Sequence, residues 1–117
     1  MKLKISGQLK SGKNNMGISR GRHYPLKAWA EWRDRVVGEI WTQYEGAPLG
    51  AQCRISVRYW AGDRRRRDVP GMEDALWHCL ERAGVIADDK LFMETHFYSN
   101  YDKENPRAEV EIESLEG

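Results

Sequence analysis

Four consecutive arginines, Arg64 to Arg67, run directly into Asp68, and one helix-length later the adjacent carboxylates Asp88 and Asp89 close the stretch RRRRDVPGMEDALWHCLERAGVIADD. Guanidinium forks match the oxygens of phosphate, and clustered carboxylates suit a hard divalent cation such as Mg²⁺. Together they point to metal-assisted chemistry on a phosphodiester. Glu73 and Asp74 lie between the two groups and could add carboxylate oxygens. They also have a structural reading, as acids in the first turn of a helix where they complement its dipole, just as Asp68 is placed to cap that helix.

The elements that must position these residues are legible as periods. Cys53, Ile55, Val57 and Tyr59 alternate with Arg54, Ser56, Arg58 and Trp60, the pattern of a strand with one apolar face, and this strand delivers the chain to Gly62, Asp63 and the arginines. After Pro70 and Gly71, the residues Met72, Leu76, Cys79, Leu80 and Ala83 form a helical stripe, and Gly84 fits a left-handed helix end. Upstream, Leu3 and Ile5 predict a short strand. Residues 11–25, with glycines, asparagines and no apolar period, predict a loop carrying Lys13, Arg20 and Arg22. Pro25 is placed to open a helix ending near Gly46, with Leu26, Trp29, Val36, Val37, Ile40 and Tyr44 on its inner face. Trp29, Trp32 and Trp41 are expected in the core, and Gly38 suggests a close packing contact. Downstream, strands are expected from about Leu91 to Tyr98 and across Ala108, Val110 and Ile112. The order is β-α-β-α-β-β, an α+β fold with a single mixed β-sheet and two helices, in one domain over 1–117.

Composition bounds the function classes. The 117 residues, 40% hydrophobic with five tryptophans, suffice for one packed core. No apolar run approaches the roughly 20 residues of a membrane span, so no membrane partner and a cytoplasmic location are expected. Cys53 and Cys79 show no metal or redox spacing and read as buried thiols, and His23, His78 and His96 match no metal pattern. The net charge of +1 conceals an asymmetry: residues 1–35 hold nine Lys or Arg against two acids. Such a basic third can hold a polyanion through phosphate contacts, or can simply be solvated.

The run DRRRRDV, a helix, and then RAGVIADD resemble the RusA family of Holliday-junction resolvases, small homodimeric endonucleases common in phages and prophages. The family pattern is an Arg-rich run, Asp-x-Asp-Asn, a Lys three residues on, a helix ending in an Ala-Gly-Val-like turn, and a pair of acids. By that resemblance Asp68 and Asp89 match catalytic aspartates, Asp88 stands beside the second, and Arg64, Arg65, Arg66 and Arg67 match the run that approaches DNA. Lys13, Arg20, Arg22 and Arg58 are further candidates for backbone contacts. The family's second aspartate falls on Pro70, its asparagine on Gly71 and its lysine on Asp74.

The resemblance implies an Mg²⁺-dependent (or Mn²⁺-dependent) endodeoxyribonuclease that cuts branched DNA as a homodimer, with Asp68, Asp89, Asp88, Glu73 and Asp74 as candidate ligands and Lys90 or the arginines offsetting phosphate charge. The replaced positions keep a second reading open: a catalytically weak or inactive junction-binding protein with the resolvase fold. Length separates two versions of the site. Fourteen helical residues from Pro70 to Ala83 span about 21 Å, and the six residues from Gly84 to Asp89 return at most about 20 Å. Asp68 and Asp89 meet within one chain only if that connection runs nearly straight back. A less extended return points to a site completed by a second subunit.

Overall fold

The computed structural model describes residues 1–11, 16–19 and 22–115, with side chains for 1–11 and 26–115. Strand β1, Lys2–Ser6, buries Leu3 and Ile5 and exposes the alternate lysines, as its period requires. Within the stretch expected as a loop, β2 (Met16–Ser19) and β3 (Arg22–Pro25) form an antiparallel hairpin. Strands of four residues, one holding Gly17, offer too few alternating apolar positions for the period to register in sequence. Pro25 therefore ends a strand instead of opening the helix.

Helix α1, Lys27–Gln43, is capped by Leu26 in an extended conformation without a side-chain bond. Its buried stripe is Trp29, Trp32, Val36 and Ile40. Trp29 and Trp32 stack with centroids 5.1 Å apart, and the Trp32 Nε1–H donates to the Gln8 carbonyl at 2.9 Å. Three expectations fail here. Trp41 is 71% exposed and Leu26 is 39% exposed. Trp41 follows Ile40 and is turned about 100° away from the buried stripe. Gly38 is also exposed, and a methyl group there would meet nothing within 4 Å, so it marks no close contact.

Strand β4, Cys53–Ala61, buries every second residue from Cys53 to Ala61. Helix α2, Val69–Arg82, buries Met72, Ala75, Leu76, Trp77, Cys79 and Leu80. Because α2 begins at Val69, Glu73 and Asp74 fall in its second turn and not in its first. Gly84 follows with φ +79, where a side chain would be strained, and Val85 N–H closes the end on the Leu80 carbonyl at 3.0 Å. A 3₁₀ turn at Asp89–Leu91 leads into β5, Phe92–Tyr101, and β6, Arg107–Ser114, returns.

The main sheet has the order β1-β6-β4-β5, antiparallel except for the parallel pair β4 and β5. Leaving aside the hairpin, the elements follow the expected β-α-β-α-β-β order of an α+β fold with one mixed sheet and two helices. One apolar cluster joins β1, α1, β4, α2 and β6. Cys53 and Cys79 are buried within it, and burial pushes the Cys79 thiol up to about 12. Among the described residues no helix is long and apolar enough to cross a membrane.

The two tryptophan environments predict opposite responses in urea unfolding. Trp32→Phe, which loses a buried indole hydrogen bond and some packing, should cost about 1–3 kcal/mol. Trp41→Phe should stay within about 0.5 kcal/mol of the native chain.

Candidate nucleic-acid and metal site

The β4–α2–β5 unit carries the chemistry-bearing residues at its two ends. Where β4 finishes, Asp63 turns the chain: its carboxylate accepts the Arg65 N–H at 2.9 Å and pairs with Arg67 Nη2 at 2.5 Å. Those hydrogen bonds and the guanidinium charges hold the Asp63 carboxyl below its ordinary range. Arg67 also donates to Gln8 Oε1 at 2.9 Å, so this arginine is tied into the fold. Arg64, Arg65 and Arg66 are exposed, with Arg64 lying 4.5 Å over the Tyr101 ring. A cleft of roughly 380 Å³ opens beside them, lined by Gln8, Lys10, Ser11, Asp63, Arg65 to Arg67 and Asp68. Lys10 and Ser11 were not singled out by the sequence. They come from the chain after β1 and reach the arginines only through the fold.

Asp68 caps α2 through the Gly71 N–H, at 3.3 Å, and accepts from Ser11 Oγ at 3.2 Å. A β-carbon at Gly71 would run into both the Asp68 carboxylate and the Ser11 hydroxyl. Glycine at this position therefore lets Asp68, Ser11 and the helix start close together. Pro70 stands in the first turn of α2, where a missing N–H leaves no helical bond unmade.

The other end is acidic. Glu81, Asp88 and Asp89 bring one carboxylate oxygen each within 4.8 Å of one another. Asp89 N–H donates to Glu81 Oε1 at 2.5 Å, and Asp88 accepts the Lys90 N–H at 2.8 Å. Partial burial, then the Glu81 and Asp88 charges, and last the charge of Asp74 raise the Asp89 carboxyl above its ordinary range. Glu73 is raised too, by burial first and then by Asp74. Three oxygen donors this close repel one another when ionised, and a hard cation relieves that repulsion, so the donor set fits Mg²⁺ or Mn²⁺. Glu81 was missed in sequence because only the Gly84 turn folds Asp88 and Asp89 back against it.

The structure thus gathers Glu81, Asp88 and Asp89 at one end and Asp68 with the arginines at the other, with Glu73 and Asp74 on the helix between them. The connection after α2 does not run straight back. Val85 and Ile86 are buried, and hydrogen bonds join Leu49 to Val85 (2.8 Å) and Ala87 to Leu49 (3.0 Å), which pins this segment beside the last turns of the helix. From Asp68 to Glu81 the helix rises about 20 Å. Arg58 lies on the opposite face of the sheet, in a groove with Lys2, Tyr98 and Glu109. Lys13 and Arg20 fall outside the described residues, and Arg22 lies in β3.

The chain is similar to the crossover junction endodeoxyribonuclease RusA of Aquifex aeolicus (strain VF5), with 31% identity over 72 residues, covering 62% of this chain and 57% of that protein. The chain thus spans somewhat over half the length of the curated relative it matches, and the likeness supports a RusA-like relationship. No family model matches it.

Asp68→Asn should keep the cap and the stability, whereas Asp68→Ala should cost about 1 kcal/mol by thermal or urea unfolding. Asp89, with its raised carboxyl, favours the folded state below the ordinary carboxyl range, and this contribution is lost as pH rises through its folded value. In EDTA at pH 7, Asp89→Asn should therefore raise Tm by roughly one to a few degrees, the gain being limited by solvent screening. Added Mg²⁺ or Mn²⁺ should raise the Tm of the native chain and not that of the variant.

Proposed function

We propose that this chain is a metal-dependent endodeoxyribonuclease that cuts four-way junctions or other branched DNA as a homodimer. The observation that carries the reading is the pairing, on one β-α-β unit, of an exposed arginine run next to Asp68 with the Glu81, Asp88 and Asp89 oxygens. The similarity to a crossover junction endodeoxyribonuclease adds to it.

Arg64, Arg65 and Arg66 are the residues to contact phosphate oxygens, since Arg67 is committed to Asp63 and Gln8. Their planar forks orient the phosphodiester and offset charge that grows on its oxygens during cleavage. Glu81, Asp88 and Asp89 would hold the cation, with Asp74 adding negative field. When bound, a divalent ion supplies a water of lowered pKa and neutralises phosphate charge. Asp68, fixed by its cap bond and by Ser11, presents a carboxylate to the arginine-lined cleft, placed to orient a water there, and would share a cation only with the acidic group of a second copy. Lys90, next to Asp89 on the 3₁₀ turn, adds a positive group at the acidic end.

A second reading, junction binding without cutting, is favoured by Pro70, Gly71 and Asp74, which stand where the RusA pattern has aspartate, asparagine and lysine. Incubation with a labelled synthetic four-way junction in Mg²⁺, Mn²⁺ or EDTA separates the two, with a linear duplex as control. Paired nicks that require metal are expected. Asp68→Asn or Asp89→Asn should lower cutting on the order of 100-fold or more, in the range set by disturbed metal sites, with junction binding kept. Tight binding with no nicks in any metal would select the second reading.

A further inference from the structure

Tyr101 is a large aromatic residue that the core leaves aside. It closes β5 opposite Ala61, so its ring belongs to the sheet face that the helices cover, yet it is 42% exposed and stands outside the buried cluster. Phe97, four residues earlier on the same face, packs against that cluster. What lies on the Tyr101 ring is a cation: the Arg64 guanidinium carbon is 4.5 Å from its centroid. Among the described residues no carboxylate pairs with Arg64, and neither Arg65 nor Arg66 lies over a ring.

The strand ends that carry these two groups are held firmly. Asp102 N–H donates to the Ala61 carbonyl at 2.8 Å, and the Asp102 carboxylate takes the Glu104 and Asn105 N–H groups and Arg107 Nη1. Gly62, where β4 leaves the sheet, lies against the same turn: a β-carbon there would come within 2.8 Å of Pro106 Cγ. Asp63 then turns the chain through the Arg65 N–H. Little backbone ordering is therefore left for a ligand to impose.

A guanidinium over an aromatic ring keeps its N–H edges for phosphate oxygens, while its open plane can take a nucleobase, which stacks on arginine planes and aromatic rings alike. The exposed Arg65 and Arg66 beside the cleft bring a polyanion to this place. A linear duplex has no base to offer such a platform, because each is already stacked and must be extruded at a cost. At a branch point stacking is interrupted, and the faces of the terminal bases are open. We infer that Arg64 and Tyr101 form a stacking platform for an unstacked base at the branch point, by which the chain distinguishes branched from linear DNA. The platform rests on the DNA-binding part of the proposed function and gives Arg64 a role beyond the phosphate contact assigned there.

Fluorescence anisotropy in EDTA, with a labelled four-way junction and a linear duplex of the same sequence, reads the platform apart from cutting. The native chain should prefer the junction. Tyr101→Leu and Arg64→Lys should each weaken junction binding about 5- to 150-fold, the range for losing one stacked base, and duplex binding by less than about threefold. Tyr101→Phe should bind as the native chain does. So should Tyr98→Leu, which removes an exposed ring from the other face of the same strand. Salt separates stacking from phosphate contact. Tyr101→Leu and Arg64→Lys should leave the slope of log K against log salt unchanged, whereas Arg66→Ala should reduce it by about 1. Equal native affinity for junction and duplex, an Arg64→Lys chain that binds like the native one, or equal losses on both DNAs in Tyr101→Leu overturns the platform and leaves the nuclease reading to its own test. A native chain that binds neither DNA overturns both. A preference that depends on the stack in a chain that never nicks counts against the nuclease reading alone.

Discussion

The burial of one face of β4 is the constraint on which the rest depends. Cys53, Ile55, Val57, Tyr59 and Ala61 are all essentially enclosed, and they can be so only because α2 lays Met72, Leu76, Cys79 and Leu80 into the same cluster. Once α2 is seated, the chain must come back beside β4 as a parallel strand, since a helical crossover leaves no other close-packed route. The parallel register puts Phe92 opposite Cys53 and Tyr101 opposite Ala61. It follows that whatever precedes β5 lies at one end of the unit, and whatever follows β4 lies at the other.

That separation is electrostatic as well as spatial. The arginines follow β4, and the paired acids precede β5. Within the arginine run, Asp63 pairs with Arg67, while Glu81, Asp88 and Asp89 crowd their charges together. Crowding of this sort costs stability in the absence of a counter-ion, which is the trade made by sites that bind cations.

Asp68 shows how one residue can serve fold and chemistry together. Its carboxylate satisfies the start of α2 and takes the Ser11 hydroxyl, yet it lines the arginine cleft. Gly71 makes room for this, and Pro70 asks nothing of the helix it helps to begin. Pro70 and Gly71, two of the positions at which the chain departs from the RusA pattern, are thus accommodated structurally by the first turn of the helix, a property distinct from whether the chemistry survives there.

Much of the architecture was legible in the residues alone, because period is a local property. The alternation in β1, β4 and β6 and the stripe of α2 were set by where apolar side chains recur. So were the Asp68 cap and the Gly84 turn, which depend on neighbours a few positions away. The hairpin of β2 and β3 was not legible, since four residues hold too little of any period, and Trp41 was misjudged because a broad stripe leaves its margins undefined. What only the tertiary structure decided is which distant groups meet. Glu81 joins Asp88 and Asp89 through a turn, Ser11 reaches Asp68 across the fold, and a pinned connection holds Asp89 away from the start of α2. Residue types name the chemistry a chain could perform, but distances between groups far apart in sequence are set by packing, and packing is a property of the whole core.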